Sequence, residues 1–204
     1  HPGCNTVSDT MKVFITPEPT LNLGPNITKC GDAGTVQLNA IKTLAASIAW
    51  SNVVGTGGFS NNAIDNPVYT INGADPVPGT LTVQAVITPQ PASGTCNNVT
   101  KTVNINLTAI PTVSAGAGPL TTCTTTPNAV LNGSVTTATG GIWSSNGTGT
   151  FSPNSSTLNA TYIPSPSDLL LPSVVLTLTT TGNGQCAAYS SPITLNFDKQ
   201  PTVT

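Results

Sequence analysis

Apolar and polar side chains alternate with a period of two in six stretches of the chain. In these stretches an apolar residue occupies every second position, and Thr, Asn or Gln mostly stands between. This period is typical of β-strands that turn one face to a core and the other to solvent. The stretches are Met11-Val13-Ile15, Val36-Leu38-Ala40, Leu81-Val83-Ala85-Ile87, Val103-Ile105-Leu107, Val174-Leu176-Leu178 and Ile193-Leu195-Phe197.

Turn signals separate these stretches. Asn-Gly pairs stand at Asn72-Gly73, Asn132-Gly133, Asn146-Gly147 and Asn183-Gly184, and both residues tolerate the positive φ of tight hairpins. The only helical prediction is a single turn over residues 167–171. The sequence therefore predicts an all-β protein.

The chain repeats itself. Cys30 and Cys123 are 93 residues apart, and the same offset relates Trp50 to Trp143, Tyr69 to Tyr162 and Asp75 to Asp168. Self-similarity at a fixed offset predicts tandem domains of one type.

A Pro-Thr-aliphatic triplet marks the start of each repeat, at Pro19, Pro111 and Pro201. Two whole repeats are predicted, over residues 18–110 and 111–200. Cys4 to Pro19 lies in register with Cys96 to Pro111, so residues 1–17 are predicted to be the last strand of a preceding repeat. Residues 201–204 would begin a following one. We expect the chain to be part of a longer array.

About seven short strands in about 90 residues, with one Trp in each unit, favour immunoglobulin-like β-sandwich domains over a barrel or a propeller. The aromatic residues at matched positions are predicted to lie in the two cores rather than to stack on sugar rings. This core signature comprises Trp50, Phe59 and Tyr69 in the first repeat and Trp143, Phe151 and Tyr162 in the second.

Charge excludes one class of partner. Five lysines, no arginine and a net charge of −2 cannot neutralise a run of phosphates, so no nucleic-acid partner is expected. No stretch of about 18 consecutive apolar residues occurs, and membrane insertion is not expected either.

The five cysteines indicate an oxidising, extracellular environment, because they recur in register and no histidine lies within the repeats to complete a zinc site. Two pairings fit the period. Bonds from Cys30 to Cys96 and from Cys123 to Cys186 would close each repeat and leave Cys4 unpaired. Bonds from Cys4 to Cys30 and from Cys96 to Cys123 would lock the junctions instead.

The first pairing is favoured because domains usually carry their own disulfides. One geometric objection stands against it. In a simple sandwich the turn after the first strand and the turn before the last lie at opposite ends, whereas a disulfide needs Cα atoms within about 7 Å.

The motifs of the second repeat resemble the immunoglobulin-like or PKD-like repeats of Bacteroidota surface proteins, including gliding-motility adhesins of the SprB type. The matching residues are Ala117-Gly118-Pro119, Cys123, Trp143 to Phe151 and Thr181 to Cys186. The first repeat departs from the pattern at Pro89-Gln90-Pro91-Ala92. The resemblance implies export by the type IX system and a location on the outer cell surface.

Candidate chemistry is sparse. Asp75 and Asp168 occupy equivalent loop positions and are the candidates for a calcium ion, but no Asp-x-Asp cluster supplies the six to eight oxygens that calcium takes. His1 is the only histidine and Glu18 the only glutamate, which is too little for general acid–base catalysis. We expect no enzymatic activity and no other cofactor.

Two functions remain in view. The leading hypothesis is a structural stalk segment of a long adhesin or surface filament, with neighbouring repeats of the same chain as its partners. The alternative is an accessory spacer or carbohydrate-binding module of a secreted polysaccharide hydrolase. A variant of the first is self-association, by bundling or by donation of the strand from Cys4 to Thr16 to another copy. The surface ligand is not predicted.

Overall fold

The computed structural model describes residue 3 and residues 7–13, 15, 17–90 and 96–199. Cys4 and residues 201–204, for which a preceding and a following repeat are predicted, lie outside the described residues. The boundaries of the two whole repeats at 18–110 and 111–200 stay predictions.

The described residues form eighteen β-strands. Those in the first predicted repeat are β1 (Thr20–Asn22), β2 (Ile27–Cys30), β3 (Thr35–Gln37), β4 (Ile41–Thr43), β5 (Ala45–Val54), β6 (Gly58–Phe59), β7 (Val68–Thr70), β8 (Gly79–Pro89) and β9 (Val99–Thr108). Those in the second are β10 (Thr112–Ser114), β11 (Leu120–Cys123), β12 (Ala129–Val130), β13 (Ser134–Thr136), β14 (Gly140–Ser145), β15 (Thr150–Ser152), β16 (Thr161–Ile163), β17 (Ser173–Thr181) and β18 (Ser190–Asp198).

Both repeats have the same strand order. The first has a four-stranded sheet β2-β9-β8-β5 and a three-stranded sheet β3-β7-β6, and the second has the sheets β11-β18-β17-β14 and β12-β16-β15. A short pair completes each repeat, β1 with β4 and β10 with β13. The protein is therefore an all-β protein of tandem immunoglobulin-like sandwiches, as the sequence predicts.

One feature of the large sheets is parallel pairing at an edge. The first strand of each sheet, β2 or β11, runs parallel to the last strand, β9 or β18. The pairs β5 with β8, β14 with β17 and β17 with β18 are antiparallel.

The chain divides into two compact units. Unit 1 comprises residues 1–25, 35–72 and 82–104, and contains β1, β3 to β7 and most of β8 and β9. Unit 2 comprises residues 26–34, 73–81 and 105–204, and contains β2, all strands from β10 onwards and the remaining ends of β8 and β9.

Alternation in the long strands places the cores. In β8 the side chains of Leu81, Val83, Ala85 and Ile87 are fully buried, and β17 and β18 bury every second residue in the same way. These patterns confirm the strand predictions for the stretches that begin at residues 81, 103, 174 and 193. The core of unit 2 is the set Ala115, Ala129, Leu131, Trp143, Ala160, Tyr162, Val174, Leu176, Leu178, Ile193, Leu195 and Phe197.

The two tryptophans occupy the same environment in the two repeats. Trp50 and Trp143 are each 2% exposed, and each indole N–H donates a 3.0 Å hydrogen bond to a backbone carbonyl, that of Ile64 or Leu158. A buried indole requires such an acceptor.

The remaining aromatics of the core signature pack in series beside them. Phe59 lies 6.3 Å from the Trp50 ring and 5.1 Å from the Tyr69 ring. In the second repeat the distances of Phe151 from Trp143 and Tyr162 are 6.4 and 5.1 Å.

The strand predicted at the N-terminal end, as the last strand of a preceding repeat, stays a prediction. The described residues of the stretch Met11-Val13-Ile15 form no strand, and these three side chains are 87%, 72% and 90% exposed. Alternation shows that a segment could cover an apolar surface. A strand also needs a neighbour for its backbone hydrogen bonds, and no described strand pairs with this segment.

Truncation of the central tryptophan tests the second core. Trp143→Ala should lower the free energy of unfolding by about 3–5 kcal/mol, because it removes a fully buried ring and leaves a cavity. Urea unfolding followed by far-UV circular dichroism measures the change. The control Val130→Ala alters a side chain that is 72% exposed and should change stability by less than about 0.5 kcal/mol.

Candidate functional site

A disulfide joins the first sequence repeat to the second. Cys30 is bonded to Cys186, with the two Cα atoms 4.7 Å apart and a separation of 156 positions in sequence. Cys30 is the last residue of β2, and Cys186 lies in the loop between β17 and β18. Both belong to compact unit 2.

The predicted pairing of Cys30 with Cys96 and of Cys123 with Cys186 is therefore corrected, and so is that of Cys4 with Cys30. The parallel edge strand gives the reason. Cys123 lies opposite Asp198, the last residue of β18, whereas Cys186 precedes Ser190, the first residue of that strand. The nine residues of β18 span about 26 Å at about 3.3 Å per residue, far beyond the reach of a disulfide.

The same register holds in the first repeat. Cys30 lies opposite Thr108 at the end of β9, while Cys96 precedes the start of β9 at Val99. Each first-strand cysteine thus stands at the end of the last strand, away from the loop cysteine of its own repeat.

Polar contacts surround the bond. Cys186 Sγ lies 3.8 Å from the Thr108 hydroxyl oxygen and 3.6 Å from the Ala109 carbonyl oxygen. The Cys186 N–H donates a 3.0 Å hydrogen bond to the Asn183 carbonyl, which holds the loop in a turn. Within this loop Gly182 and Gly184 have φ of +67° and +60°, a conformation that favours glycine.

Tyr189 adds a second link beside the disulfide. Its hydroxyl donates a hydrogen bond to the carboxylate of Asp32, two residues after Cys30. This bond, and then partial burial, raise the pKa of the Tyr189 phenol. The Tyr189 N–H donates to the Thr180 hydroxyl at 2.9 Å, and the Thr180 N–H donates to the Tyr189 carbonyl at 2.9 Å.

Cys30, Asp32 and Cys186 are also the one group of three potential metal ligands that lies within 4.8 Å among the described residues. The two sulfurs are bonded to each other, so neither is a thiolate that could bind a metal ion. The group is a disulfide with a neighbouring carboxylate.

The remaining described cysteines differ from this pair. Cys123 carries a free thiol among the residues that the structure describes and is partly buried. The Thr125 hydroxyl donates to its Sγ at 3.2 Å, and this hydrogen bond is the main reason that the pKa of Cys123 is lowered. Cys96 is partly buried in the loop before β9.

Asp168 is the centre of a second polar cluster. It begins the single 3-10 turn Asp168–Leu170, which confirms the helical turn predicted there, and it is 1% exposed. One carboxylate oxygen accepts from the Thr148 N–H at 2.8 Å. The other accepts from the Gly149 N–H at 2.9 Å, the Tyr162 hydroxyl at 2.8 Å and the Ser165 N–H at 3.1 Å.

These donors decide the protonation state. Burial raises the pKa of the Asp168 carboxyl, but the hydrogen bonds from Thr148, Tyr162, Ser165 and Gly149 together outweigh it and hold the pKa below its ordinary value. Burial also raises the pKa of the Tyr162 phenol. Asp168 is therefore an ionised carboxylate that joins two loops and the β16 strand.

The environment of Asp168 does not suit the calcium ion for which it is a candidate. Calcium takes six to eight oxygen ligands, whereas both oxygens of Asp168 face hydrogen-bond donors. The first repeat has a related arrangement, in which the Gly57 N–H donates to the Tyr69 hydroxyl at 3.0 Å and Asp75 is 6% exposed. The hydrogen bonds of Asp168 hold loops together, which is a structural role.

Sequence reasoning singles out Asp168 but finds neither its partners nor the pair formed by Tyr189 and Asp32. Tyr189 aligns with Val7 and Val99, and for this reason it looks like a variation without a role. Its hydroxyl partner, Asp32, is in the other repeat, and no local pattern connects two residues 157 positions apart. The one available signal is that both depart from the repeat at once, since Thr125 stands where Asp32 would recur.

No known protein-family model matches the chain, and a comparison with curated proteins finds no match. Among solved structures, extracellular domains 3–5 of Drosophila OTK match at 14% identity, with a TM-score of 0.47, over 92% of this chain and 62% of that one. The insect immune protein hemolin matches at 11% identity, with a TM-score of 0.48, over 89% of this chain and 47% of that one. This chain thus spans less than two thirds of either structure.

Human protocadherin-24 EC1-2 matches at 10% identity, with a TM-score of 0.45, over 91% of this chain and 100% of that one. The assignment to the immunoglobulin-like class rests on the strand order described above. In the described part of the chain, no helix combines the length and hydropathy that a membrane span requires.

Removal of the disulfide tests its contribution to stability. Cys30→Ser combined with Cys186→Ser should lower the free energy of unfolding by about 2–5 kcal/mol, because the bond closes a long loop in the unfolded chain. Guanidinium unfolding under non-reducing conditions measures the loss. Cys123→Ser is the matched control, since it changes a cysteine at the equivalent strand position that forms no disulfide with another described cysteine, and its effect should stay within about 0.5 kcal/mol.

Acid titration tests the Asp168 cluster. Because the pKa of Asp168 is lower in the folded than in the unfolded state, its contribution to stability is complete above the unfolded value of about 3.9 and is lost as the pH falls through the folded value. Asp168→Asn should destabilise the protein at pH 7 by about 1–3 kcal/mol and flatten the acid limb of stability against pH. Asp9→Asn, at an exposed position, should leave that limb as steep as in the parent. An equally steep limb for Asp168→Asn would contradict the assignment.

Proposed function

We propose that the chain is a structural stalk segment of a long extracellular adhesin or surface filament of the Bacteroidota type, with gliding motility among the processes it serves. The observation that carries the proposal is the Cys30–Cys186 disulfide. A bond between two successive repeats resists their separation under tension, and tension is the load that a stalk transmits to its anchor.

The composition supports the same role. Charged residues make up 6% of the chain, and the outward positions of the long strands are mostly Thr, Asn, Gln and Ser, as in β8 and β17. Such a surface keeps a repetitive protein soluble without a strong field that would select a charged ligand. Two repeats of one architecture in series suit an element whose task is reach.

The disulfide also supports an extracellular location. Disulfides form and persist in secreted and surface proteins, whereas the reducing cytosol keeps cysteine thiols reduced. This agrees with the outer cell surface implied by the resemblance to Bacteroidota adhesins.

The alternative of a carbohydrate-binding module needs aromatic rings exposed in a row. Trp50, Trp143, Tyr69 and Tyr162 are at most 2% exposed, and Phe59 and Phe151 pack against them. Tyr189 is partly exposed, but its hydroxyl is bound to Asp32. The core aromatics thus form no exposed row, and a single partly exposed Tyr189 does not make one, so the stalk is favoured.

Immunogold electron microscopy of the cells that produce the protein tests the proposal. Antibody raised against this chain should label thin fibres that project from the cell surface, at intervals along their length. Antibody that has been pre-adsorbed with the purified chain is the control and should give no label. Label that is absent from cells and present only in the medium would contradict the stalk and favour a spacer of a secreted enzyme.

A further inference from the structure

The backbone around Cys123 reproduces the backbone around Cys30. Each cysteine ends a short strand that is parallel to the last strand of its repeat, with Cys30 opposite Thr108 and Cys123 opposite Asp198. The next residue along the chain donates its N–H to the carbonyl of that opposite residue, at 2.9 Å in the first repeat and 3.1 Å in the second.

The turn that follows is also the same. The Ala33 N–H donates to the Cys30 carbonyl at 3.0 Å, and the Thr126 N–H donates to the Cys123 carbonyl at 3.0 Å. Cys30 and Cys123 thus lie at equivalent strand ends, and equivalent hydrogen bonds hold the backbone around them.

The two sulfur atoms differ in their bonding. Cys30 is bonded to a cysteine in the loop before the last strand of the next repeat along the chain. Cys123 carries a free thiol among the described residues, and the loop cysteine of its own repeat, Cys186, is already bonded.

We infer that Cys123 is the attachment point for the corresponding loop cysteine of a further repeat that follows this one, so that the array is linked from repeat to repeat by disulfides. The inference rests on the proposed function, in which further repeats follow. The sequence Pro201-Thr202-Val203 repeats Pro111-Thr112-Val113, the start of the second repeat, and so supplies the register for such a neighbour.

The residues around Cys123 fit a neighbour of the common type. At the first link Asp32 accepts a hydrogen bond from Tyr189. The position equivalent to Asp32 in the second repeat is Thr125, and the positions equivalent to Tyr189 elsewhere are Val7 and Val99. A threonine facing a valine needs no hydrogen bond across the link. The substitution of Asp by Thr therefore matches a partner loop that lacks the tyrosine.

The Thr125 hydroxyl has a second consequence. By donating to Cys123 Sγ at 3.2 Å it favours the thiolate, and the pKa of Cys123 is lowered accordingly. The thiolate is the attacking species in disulfide formation.

The bond forms by two exchanges with oxidised glutathione or another low-molecular-weight disulfide. The Cys123 thiolate attacks the reagent, forms a mixed disulfide and releases one glutathione thiolate. The loop cysteine, as a thiolate, then attacks Cys123 Sγ and releases the second. Two protein thiols are oxidised to one disulfide, one glutathione disulfide is reduced to two thiols, and the two protons pass from the cysteines to glutathione.

An extended chain tests the inference. Residues 1–200 are followed directly by a second copy of residues 111–200, in which Cys123→Ser removes the terminal thiol and Tyr189→Val gives the added loop the common valine and marks it by mass. After folding with oxidised and reduced glutathione, the chain is alkylated and digested with pepsin, because acid suppresses thiol exchange. Mass spectrometry then identifies the linked peptides.

The peptide that contains Cys123 should be linked to the marked loop peptide, and alkylation of Cys123 should be lost relative to the 204-residue chain. When the added copy also carries Cys186→Ser, alkylation of Cys123 should return. The Cys30–Cys186 link, present in all three chains, shows that folding is intact.

Two results would overturn the inference in chains that retain the Cys30–Cys186 link. One is full alkylation of Cys123 in the extended chain, and the other is a Cys123 link between two separate chains. Either result leaves the labelling of surface fibres unaffected, because that experiment depends only on where the protein is located. Disulfide mapping therefore tests the link between repeats, and immunogold labelling tests the stalk, independently of each other.

Discussion

Parallel hydrogen bonding between the short cysteine-bearing strand and the last strand of each repeat determines how the covalent framework can close. The register places Cys30 beside Thr108 and Cys123 beside Asp198, at the ends of β9 and β18. The loop cysteines precede the starts of the same strands. A disulfide within one repeat would have to span a whole strand, so the bond of Cys30 goes to Cys186 in the second repeat.

The buried indoles of both repeats and the buried carboxylate of Asp168 have hydrogen-bond partners. The indole N–H groups of Trp50 and Trp143 reach backbone carbonyls, and Asp168 accepts hydrogen bonds on both oxygens from the loops that it joins. A buried polar group without a partner would be costly and would favour local opening. These hydrogen bonds and a surface of low charge suit repeats that are joined in series, as in the proposed stalk.

Sequence periodicity predicts much of this fold. The alternation from Leu81 to Ile87 marks a buried strand face, and the offset of 93 residues identifies Trp50 and Trp143 as equivalent positions. The stretch from Met11 to Ile15 shows the limit, since alternation describes one strand and says nothing of the neighbour it requires. The cysteine pairing is beyond the sequence for a related reason. The regular spacing of the cysteines fits more than one pairing, and only the parallel register shows which cysteines lie at the same end of the last strand. The partners of Asp168 and Tyr189 come from loops and repeats distant in sequence, beyond the range of any local pattern.

Disulfide mapping of the 204-residue chain tests the central claim most directly. The folded, non-reduced protein is alkylated, digested with pepsin at low pH and analysed by mass spectrometry. The account predicts one linked pair that joins the peptide of Cys30 to the peptide of Cys186, together with an alkylated Cys123. Links from Cys30 to Cys96 and from Cys123 to Cys186 would contradict it, because they would require Cys30 and Cys123 to lie beside the starts of β9 and β18 rather than beside their ends.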